Sequence, residues 1–360
     1  MKPETTSGER WPERANRLQP AGAAVVMLLV AAIGALLGPL RLELQLAVLG
    51  GVIVLFGSPR LGRDPELGRL LLEAHAGASW RLALLVLLIG GAALVLLAWW
   101  LWPTPTLLVM VAVVALHVGR DAAEALGRAD DPPIVAVFSG MPLVLPASFH
   151  PGEVGTVLAW VTLAPDPGAW IEALAGLGPP AAILWFTLAG LAAGRFLRRT
   201  GAIAPVGELV AGTILFALAP PLLALACYLA ATDGTRGLLG LAEDLNPDDG
   251  RAAFIATVRR SIPLVGAALA LVAFGLVVAL LAGIAPEQAL AIVPVWGFGA
   301  FALPHLVLEA FDPAGDHRGD DFFGPEMPLE RLKDALRRTR RRVARDRPKR
   351  ADQRTGRRST

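Results

Sequence analysis

The stretch FALPHLVLEAF, residues 301–311, places a histidine and a glutamate inside an apolar run. His305 and Glu309 are four positions apart and therefore share one face of a helix. The same spacing occurs in HVGRD, where Asp121 follows His117, and a third histidine, His150, lies in FHPGE. Burying titratable groups without a partner is costly, so each of these residues is a candidate for function.

Three histidines with nearby carboxylates, drawn from separate helices, are suited to holding one metal. Imidazole and carboxylate ligands together favour iron(II), manganese or zinc. The alternative for each histidine alone is a place at the membrane interface or a hydrogen bond to the backbone. His75 and His317 lie in polar stretches, and we expect both at the surface.

Aromatic side chains near these histidines are candidates for lining an apolar tunnel, with core packing as the alternative role. They are Phe138, Phe149, Tyr228, Trp296 and Phe301. The remaining tryptophans are typical of the aromatic belts at membrane interfaces.

The elements that carry these residues are apolar blocks. The chain has 360 residues, of which 54% are hydrophobic and 18% charged. Its mean hydropathy is +0.56. A helix needs about 20 apolar residues to cross a bilayer. The blocks lie at 21–40, 82–102, 105–119, 179–194, 203–231, 262–283 and 287–310. They predict an all-α, polytopic helical membrane protein with about eight to ten membrane segments, placed in the plasma membrane.

Charge divides the chain into three parts. Residues 1–20 are predicted to be a cytoplasmic N-terminal segment, 21–311 a membrane helical domain and 312–360 a basic, disordered cytoplasmic tail. From Arg331 to Thr360 the tail has 14 Lys and Arg against three Asp. Such a tail favours the cytoplasmic side and anionic lipid, and no nucleic acid is expected as a partner. Within it, Pro328 to Val343 fits a short amphipathic helix.

Prolines interrupt two of the apolar regions. The stretch 133–165 contains Pro142, Pro146 and Pro151, and it fits one broken span, two short spans or a re-entrant pair. Non-helical backbone at membrane depth is tolerated only inside protein or beside a cavity, so residues 140–152 are a candidate part of a site. Pro220 and Pro221 are expected to kink the 203–231 block.

Other machinery is missing from the sequence. There is no GxSxG elbow, no P-loop, no CxxC and no HExxH. Nucleotide-driven transport and serine hydrolysis therefore lack support. The single cysteine, Cys227, lies in an apolar run and is expected to pack in the core.

Four stretches, in order, resemble motifs of one family. The run GMPLVLPASFHPGEVGTVLAW, residues 140–160, is similar to the signature of the Brp/Blh family of bacterial and archaeal β-carotene 15,15'-dioxygenases. ALHVGRD (115–121) resembles that family's S-x-x-HFG-x-D, and APPLLALACYL (219–229) resembles its P-P-L-x-x-F-x-x-YF. FALPHLVLE (301–309) is similar to its P-H-M/L near the last span.

The resemblance implies cleavage of β-carotene by dioxygen into two retinals. It also implies iron held by histidines from several membrane helices, and a lipid-soluble carotenoid substrate that reaches the site from the bilayer. Membrane lipids are the other expected partners.

Three of the four expected iron-ligand positions depart from the family. Where the family has P-H-G-x-x-D, this chain has Pro59 followed by Arg60. Where the family has W-H-S-x-R-H, the two histidine positions are Asp233 and Gly237. Of the four positions, only His117 is retained.

Arginine stays protonated and cannot ligate iron, and glycine has no ligating side chain. One hypothesis is therefore an altered metal site of His117, Asp233 and either His150 or His305. The second is a non-catalytic family member that binds a carotenoid, a retinoid or a membrane partner. A transporter with broken helices around a midplane site is a third.

Overall fold

A computed structural model describes residues 11–38, 40–128, 131–200, 203–245 and 250–310. Within these ranges the chain forms helices joined by short turns and contains no β-strand, which confirms the predicted all-α class. The α-helices are α1 (Trp11–Leu37), α2 (Leu42–Val52), α3 (Asp64–Ala76), α4 (Trp80–Leu101), α5 (Pro103–Ala125), α6 (Pro132–Phe149), α7 (Pro151–Val161), α8 (Gly168–Thr200), α9 (Ile203–Leu218), α10 (Pro221–Leu229), α11 (Thr235–Leu245), α12 (Gly250–Leu281) and α13 (Pro286–Ala310). Residues Ile53–Gly57 and Ala230–Gly234 are π-helical.

Among the described residues, seven helices are long and apolar enough to cross a membrane, which fits a multi-pass membrane protein. They are α1, α4, α5, α6, α8, α12 and α13. Two shorter apolar helices cover Leu42–Gly57 and Ile203–Leu218. The expected eight to ten segments are reached when these shorter helices are included. The choice of the plasma membrane stays a prediction.

The chain divides into two units. The larger unit comprises Met1–Gly62 and Val95–Gly299, and the smaller comprises Arg63–Leu94 and Ala300–Thr360. In the larger unit, one buried cluster surrounds Phe138 and Tyr228, and a second surrounds Trp99. In the smaller unit, α3 meets the start of α4 at Gly68, where an added Cβ would lie 2.6 Å from Leu84.

Helices α6 and α7 are one interrupted helix. A series of contacts joins them to α8, and the residue number of the α8 partner falls as α6 and α7 advance. The contacts are Asp131 with Arg195, Gly140 with Trp185, Ser148 with Gly178, and Gly155 with Ile171. Both helices therefore run in one direction, antiparallel to α8. Of the three arrangements left open for 133–165, the structure has the broken span, and its break lies at His150, whose backbone is not helical (φ −133°, ψ 52°).

Helix α9 turns back at Ala219 and Pro220. Contacts across this turn pair Phe216 with Tyr228 and Glu208 with Arg236, so α10 and α11 return antiparallel to α9. The two prolines thus end α9 and form a hairpin in the larger unit. Helix α1 packs along α9, and Gly34 of α1 contacts Ala219 at this turn.

The predicted division at 1–20, 21–311 and 312–360 stays a prediction. Helix α1 already begins at Trp11. The basic tail, with Pro328 to Val343, lies outside the described residues, as does His317. Cys227 is half-buried and packs against the cluster around Phe138.

Candidate functional site

His117 lies near a close approach of α5 and α6. A Cβ on Gly119 would clash with Ser139 Oγ and would lie 2.6 Å from the Val135 carbonyl oxygen. His117 is two positions from Gly119 and therefore at the depth of Ser139. Its Nε2 is 3.5 Å from Asp121 Oδ2, and both side chains are partly buried. The sequence prediction that these two residues share a helix face is confirmed.

The segment that carries Asp233 packs beside α5. Ala230–Gly234 is π-helical, and α5 contacts it. Gly234 lies so close to the Phe56 ring that a Cβ would clash. Within the segment, Thr232 Oγ1 donates to the Tyr228 carbonyl oxygen over 2.7 Å. The helix of His117 and the segment of Asp233 are therefore neighbours in the larger unit.

A buried salt bridge fixes the start of α11. Arg236 Nη2 donates to both carboxylate oxygens of Glu208, over 2.7 and 2.6 Å. Arg236 Nε donates to Gln19 Oε1 over 3.1 Å, and Gln19 Nε2 donates to the Ala231 carbonyl oxygen over 2.8 Å. We call Gln19, Glu208 and Arg236 the buried clasp. Because buried charges need close partners, this geometry satisfies both ions and ties together α1, α9 and α11.

Sequence reasoning missed this clasp. Its signal was available: Glu208 is a charged residue within an apolar helix, and Arg236 holds the arginine position of the motif that reads W-H-S-x-R-H in the family. The sequence does not indicate which polar side chains pair with each other, since Gln19 and Arg236 are 217 positions apart.

Two of the five candidate aromatic residues lie together at the clasp. The Arg236 Cζ atom is 5.8 Å from the Phe138 ring centroid. Tyr228 Oη is 3.5 Å from the Phe138 carbonyl oxygen, and the Tyr228 ring centroid is 5.8 Å from that of Phe216. Phe138 and Tyr228 are fully buried.

The other three aromatic candidates lie elsewhere. Phe149 is 40% exposed at the end of α6, and Phe301 is 39% exposed in the smaller unit. Trp296 belongs to the cluster around Trp99, with ring centroids 5.6 Å apart. Both indoles donate to the Val161 carbonyl oxygen, over 3.2 Å from Trp99 and 3.0 Å from Trp296. These two tryptophans thus anchor the C-terminus of α7.

His150 is at a different depth from His117. It lies eleven residues beyond Ser139, which is about 16 Å at the helical rise of 1.5 Å per residue. Two histidine side chains cannot bridge that distance to share one ion. His150 Nε2 is 2.9 Å from the Phe216 carbonyl oxygen and donates to it.

Gln45 of α2 completes a second polar cluster around this break. Its Nε2 donates to the Leu40 carbonyl oxygen over 2.9 Å and lies 3.2 Å from Glu153 Oε2. Its Oε1 accepts the Leu222 N–H over 3.2 Å, which satisfies a backbone donor in the first turn of α10.

The smaller unit contains an imidazole between two carboxylates. His305 Nδ1 is 2.6 Å from Asp64 Oδ1, and His305 Nε2 is 4.0 Å from Glu309 Oε2. The predicted shared face of His305 and Glu309 is confirmed. Asp64 was not among the predicted residues, although it ends the stretch from Pro59 that corresponds to P-H-G-x-x-D.

These placements test the iron centre that the resemblance implies. Among the residues that the structure describes, no three His, Cys, Asp or Glu side chains come together as a group suited to a metal ion. His117 lies beside Asp121 and His150 bonds the Phe216 carbonyl oxygen, and neither histidine is grouped with two further ligand side chains among the described residues. The described residues do not fit a histidine-ligated iron centre.

Comparison with models of known protein families identifies the family of this chain. The family model described as beta-carotene 15,15'-dioxygenase matches residues 51–311 of this chain. The chain belongs to this family. No curated protein and no solved structure matches it.

Membership in the dioxygenase family confirms the resemblance drawn from the four motifs. The matched range includes His117, His150, Asp233 and His305, together with Glu208 and Arg236 of the buried clasp. Gln19 and Gln45 precede the matched range, yet each donates and accepts hydrogen bonds within a buried polar cluster. Two glutamines from the first two helices therefore complete polar clusters whose other side chains lie within the matched range.

Proposed function

We propose that this protein binds a carotenoid, or a retinoid derived from one, inside the cell membrane and does not cleave it by iron chemistry. Family membership supports a carotenoid as the ligand class. The apolar helices support access from lipid, because a long hydrocarbon dissolved in the bilayer can enter between them.

The proposal rests on which residues of one family motif this chain retains beside the buried clasp. Arg236, at the motif's arginine position, keeps a bidentate bond to Glu208. The two histidine positions of the same motif are Asp233 and Gly237. The framework of the motif is therefore kept while its imidazoles are gone. With Arg60 at a third position, side-chain chemistry alone removes two of the four ligands, because neither Arg nor Gly can bind iron.

The test is expression in cells that make β-carotene, followed by purification in detergent. We expect a carotenoid absorption band to co-purify with the folded protein, iron well below one atom per chain, and no retinal above the level of an empty-vector control. The matched variant carries Arg60→His, Asp233→His and Gly237→His together. Gain of iron and of retinal by that variant would support loss of ligands as the reason for inactivity.

Cleavage of β-carotene by dioxygen to retinal, at an altered iron centre, is the second candidate. Packing of α5 against the Ala230–Gly234 segment favours it, because this brings the helix of His117 next to the segment of Asp233. Retinal formed by the unaltered chain with stoichiometric iron, and abolished by His117→Ala, would establish this reaction and overturn our first proposal.

A further inference from the structure

The hairpin between α9 and α10 leaves backbone acceptors without helical donors. In an α-helix the carbonyl of residue i accepts the N–H of residue i+4. For Phe216 and Ala217 those positions are Pro220 and Pro221, which have no N–H. An unpaired backbone acceptor in an apolar interior is costly, so the carbonyl of Phe216 needs a donor from another element.

His150 is that donor. Its Nε2 lies 2.9 Å from the Phe216 carbonyl oxygen. A carbonyl oxygen only accepts, so Nε2 must hold a proton, and in the neutral ring Nδ1 is then the unprotonated nitrogen. The bond fixes the tautomer and takes up Nε2, the ring nitrogen farther from the backbone.

The backbone at His150 explains why the ring can reach α9. The residue has non-helical angles between α6 and α7, while Val154 N still donates to the His150 carbonyl oxygen over 3.1 Å. The break therefore redirects the His150 side chain away from its helical position, while α7 still begins directly after it. Gln45 serves the other side of the same hairpin by accepting the Leu222 N–H. Histidine and glutamine together satisfy one acceptor and one donor that the proline turn exposes.

We infer that His150 is a positioning residue, which joins the break between α6 and α7 to the end of α9 and so holds Phe216 against Tyr228. The Phe216 and Tyr228 rings pack 5.8 Å apart in the buried cluster, and the carbonyl that His150 binds belongs to Phe216 itself. The inference holds with or without pigment, and only the absorption readout below rests on the proposed function.

The experiment compares His150→Gln and His150→Leu with the unaltered protein in detergent. Glutamine keeps an N–H at a similar reach, whereas leucine fills the space without a donor. We expect His150→Gln to retain the unfolding midpoint, and His150→Leu to lower it by about 2–6 °C, from the loss of one buried hydrogen bond in a chain of this size. Thr156→Val is the matched control, because Thr156 on α7 is only partly buried and its solvent-exposed hydrogen bond is to the Gly152 carbonyl of its own helix.

Two further readouts separate a positioning role from bulk stability. In ¹⁵N-histidine spectra, the resonance lost in His150→Gln should have an Nε2–H tautomer. The bound-pigment absorption band should be unchanged in His150→Gln and shifted or lost in His150→Leu. Equal midpoints for the leucine variant and the unaltered protein, equal losses for glutamine and leucine, or a His150 signal of the Nδ1–H tautomer would each overturn the inference.

Discussion

Glu208 and Arg236 are the most demanding residues of the larger unit, because both charged side chains are almost completely buried. Their bidentate contact, with Gln19 as a further acceptor, is the arrangement that buried ions require. Each ion is satisfied only while the other is present. Removal of one partner leaves a bare charge, whereas removal of both leaves an apolar contact.

Glu208→Gln should therefore destabilise the protein by about 3–5 kcal/mol, the usual cost of breaking a buried pair. The double variant Glu208→Met with Arg236→Met should recover most of that loss. Denaturant unfolding in detergent measures both effects. The matching single variants are Glu208→Met and Arg236→Met. If the double variant loses as much stability as these two together, or more, the argument that the pair is coupled is contradicted.

At the scale of elements, the interrupted helix α6–α7 shows what local sequence can and cannot predict. Pro142, Pro146 and Pro151 indicated an interruption, but Pro142 and Pro146 lie inside α6 and only Pro151 begins a new helix. The direction after the break was undecidable from 133–165, since it is set by packing along α8. That packing needs small residues. Inside a membrane the hydrophobic effect does not drive helices together, so they rely on close approach of their backbones.

The α5–α6 crossing at Gly119 gives a direct check of close backbone approach in the larger unit. Gly119→Leu should lower stability by about 1–3 kcal/mol, because its side chain has no space beside Ser139 and Val135. Gly190→Leu is the matched control: Gly190 lies within α8 and an added Cβ meets nothing within 4 Å. Thermal unfolding in detergent compares the two. Equal effects would show that the crossing is not close-packed in the protein.

The anchor of α7 makes a second prediction for elements. Trp99 and Trp296 both donate to the Val161 carbonyl oxygen. Trp99→Phe or Trp296→Phe alone leaves one donor, whereas the double variant leaves that carbonyl without an indole donor. We expect the double variant to lose about 1–3 kcal/mol beyond the sum of the single losses, the cost of an unsatisfied buried acceptor. A double-mutant cycle of unfolding free energies measures this coupling, and strict additivity would argue against a shared acceptor.

For the molecule as a whole, composition predicted the class and the resemblance predicted the family. Apolar block length was sufficient because a bilayer sets the length of its spans. The set of His117, His150, Asp233 and His305 was harder to judge, because sequence gives residue types but not depths. The helix of His117 packs against the segment of Asp233, whereas His150 is at the far end of α6. His305 has its own partner in Asp64, within the smaller unit.

Orientation in the membrane is a prediction at this scale. The basic tail should lie in the cytoplasm. With Cys227→Ser as background, Ser359→Cys should react with a membrane-impermeant maleimide only after cells are lysed. Labelling of intact cells to the same extent would place the tail outside and reverse the predicted topology.

The contact between Gln19 and Arg236 also sets an order of events during biosynthesis. Their separation of 217 positions corresponds to about 10–40 s of chain elongation at 5–20 residues per second. Throughout that interval the glutamine of α1 lacks the arginine from which it will later accept a hydrogen bond. Closure of the buried clasp must therefore wait until Arg236 has been made, about two thirds of the way along the chain.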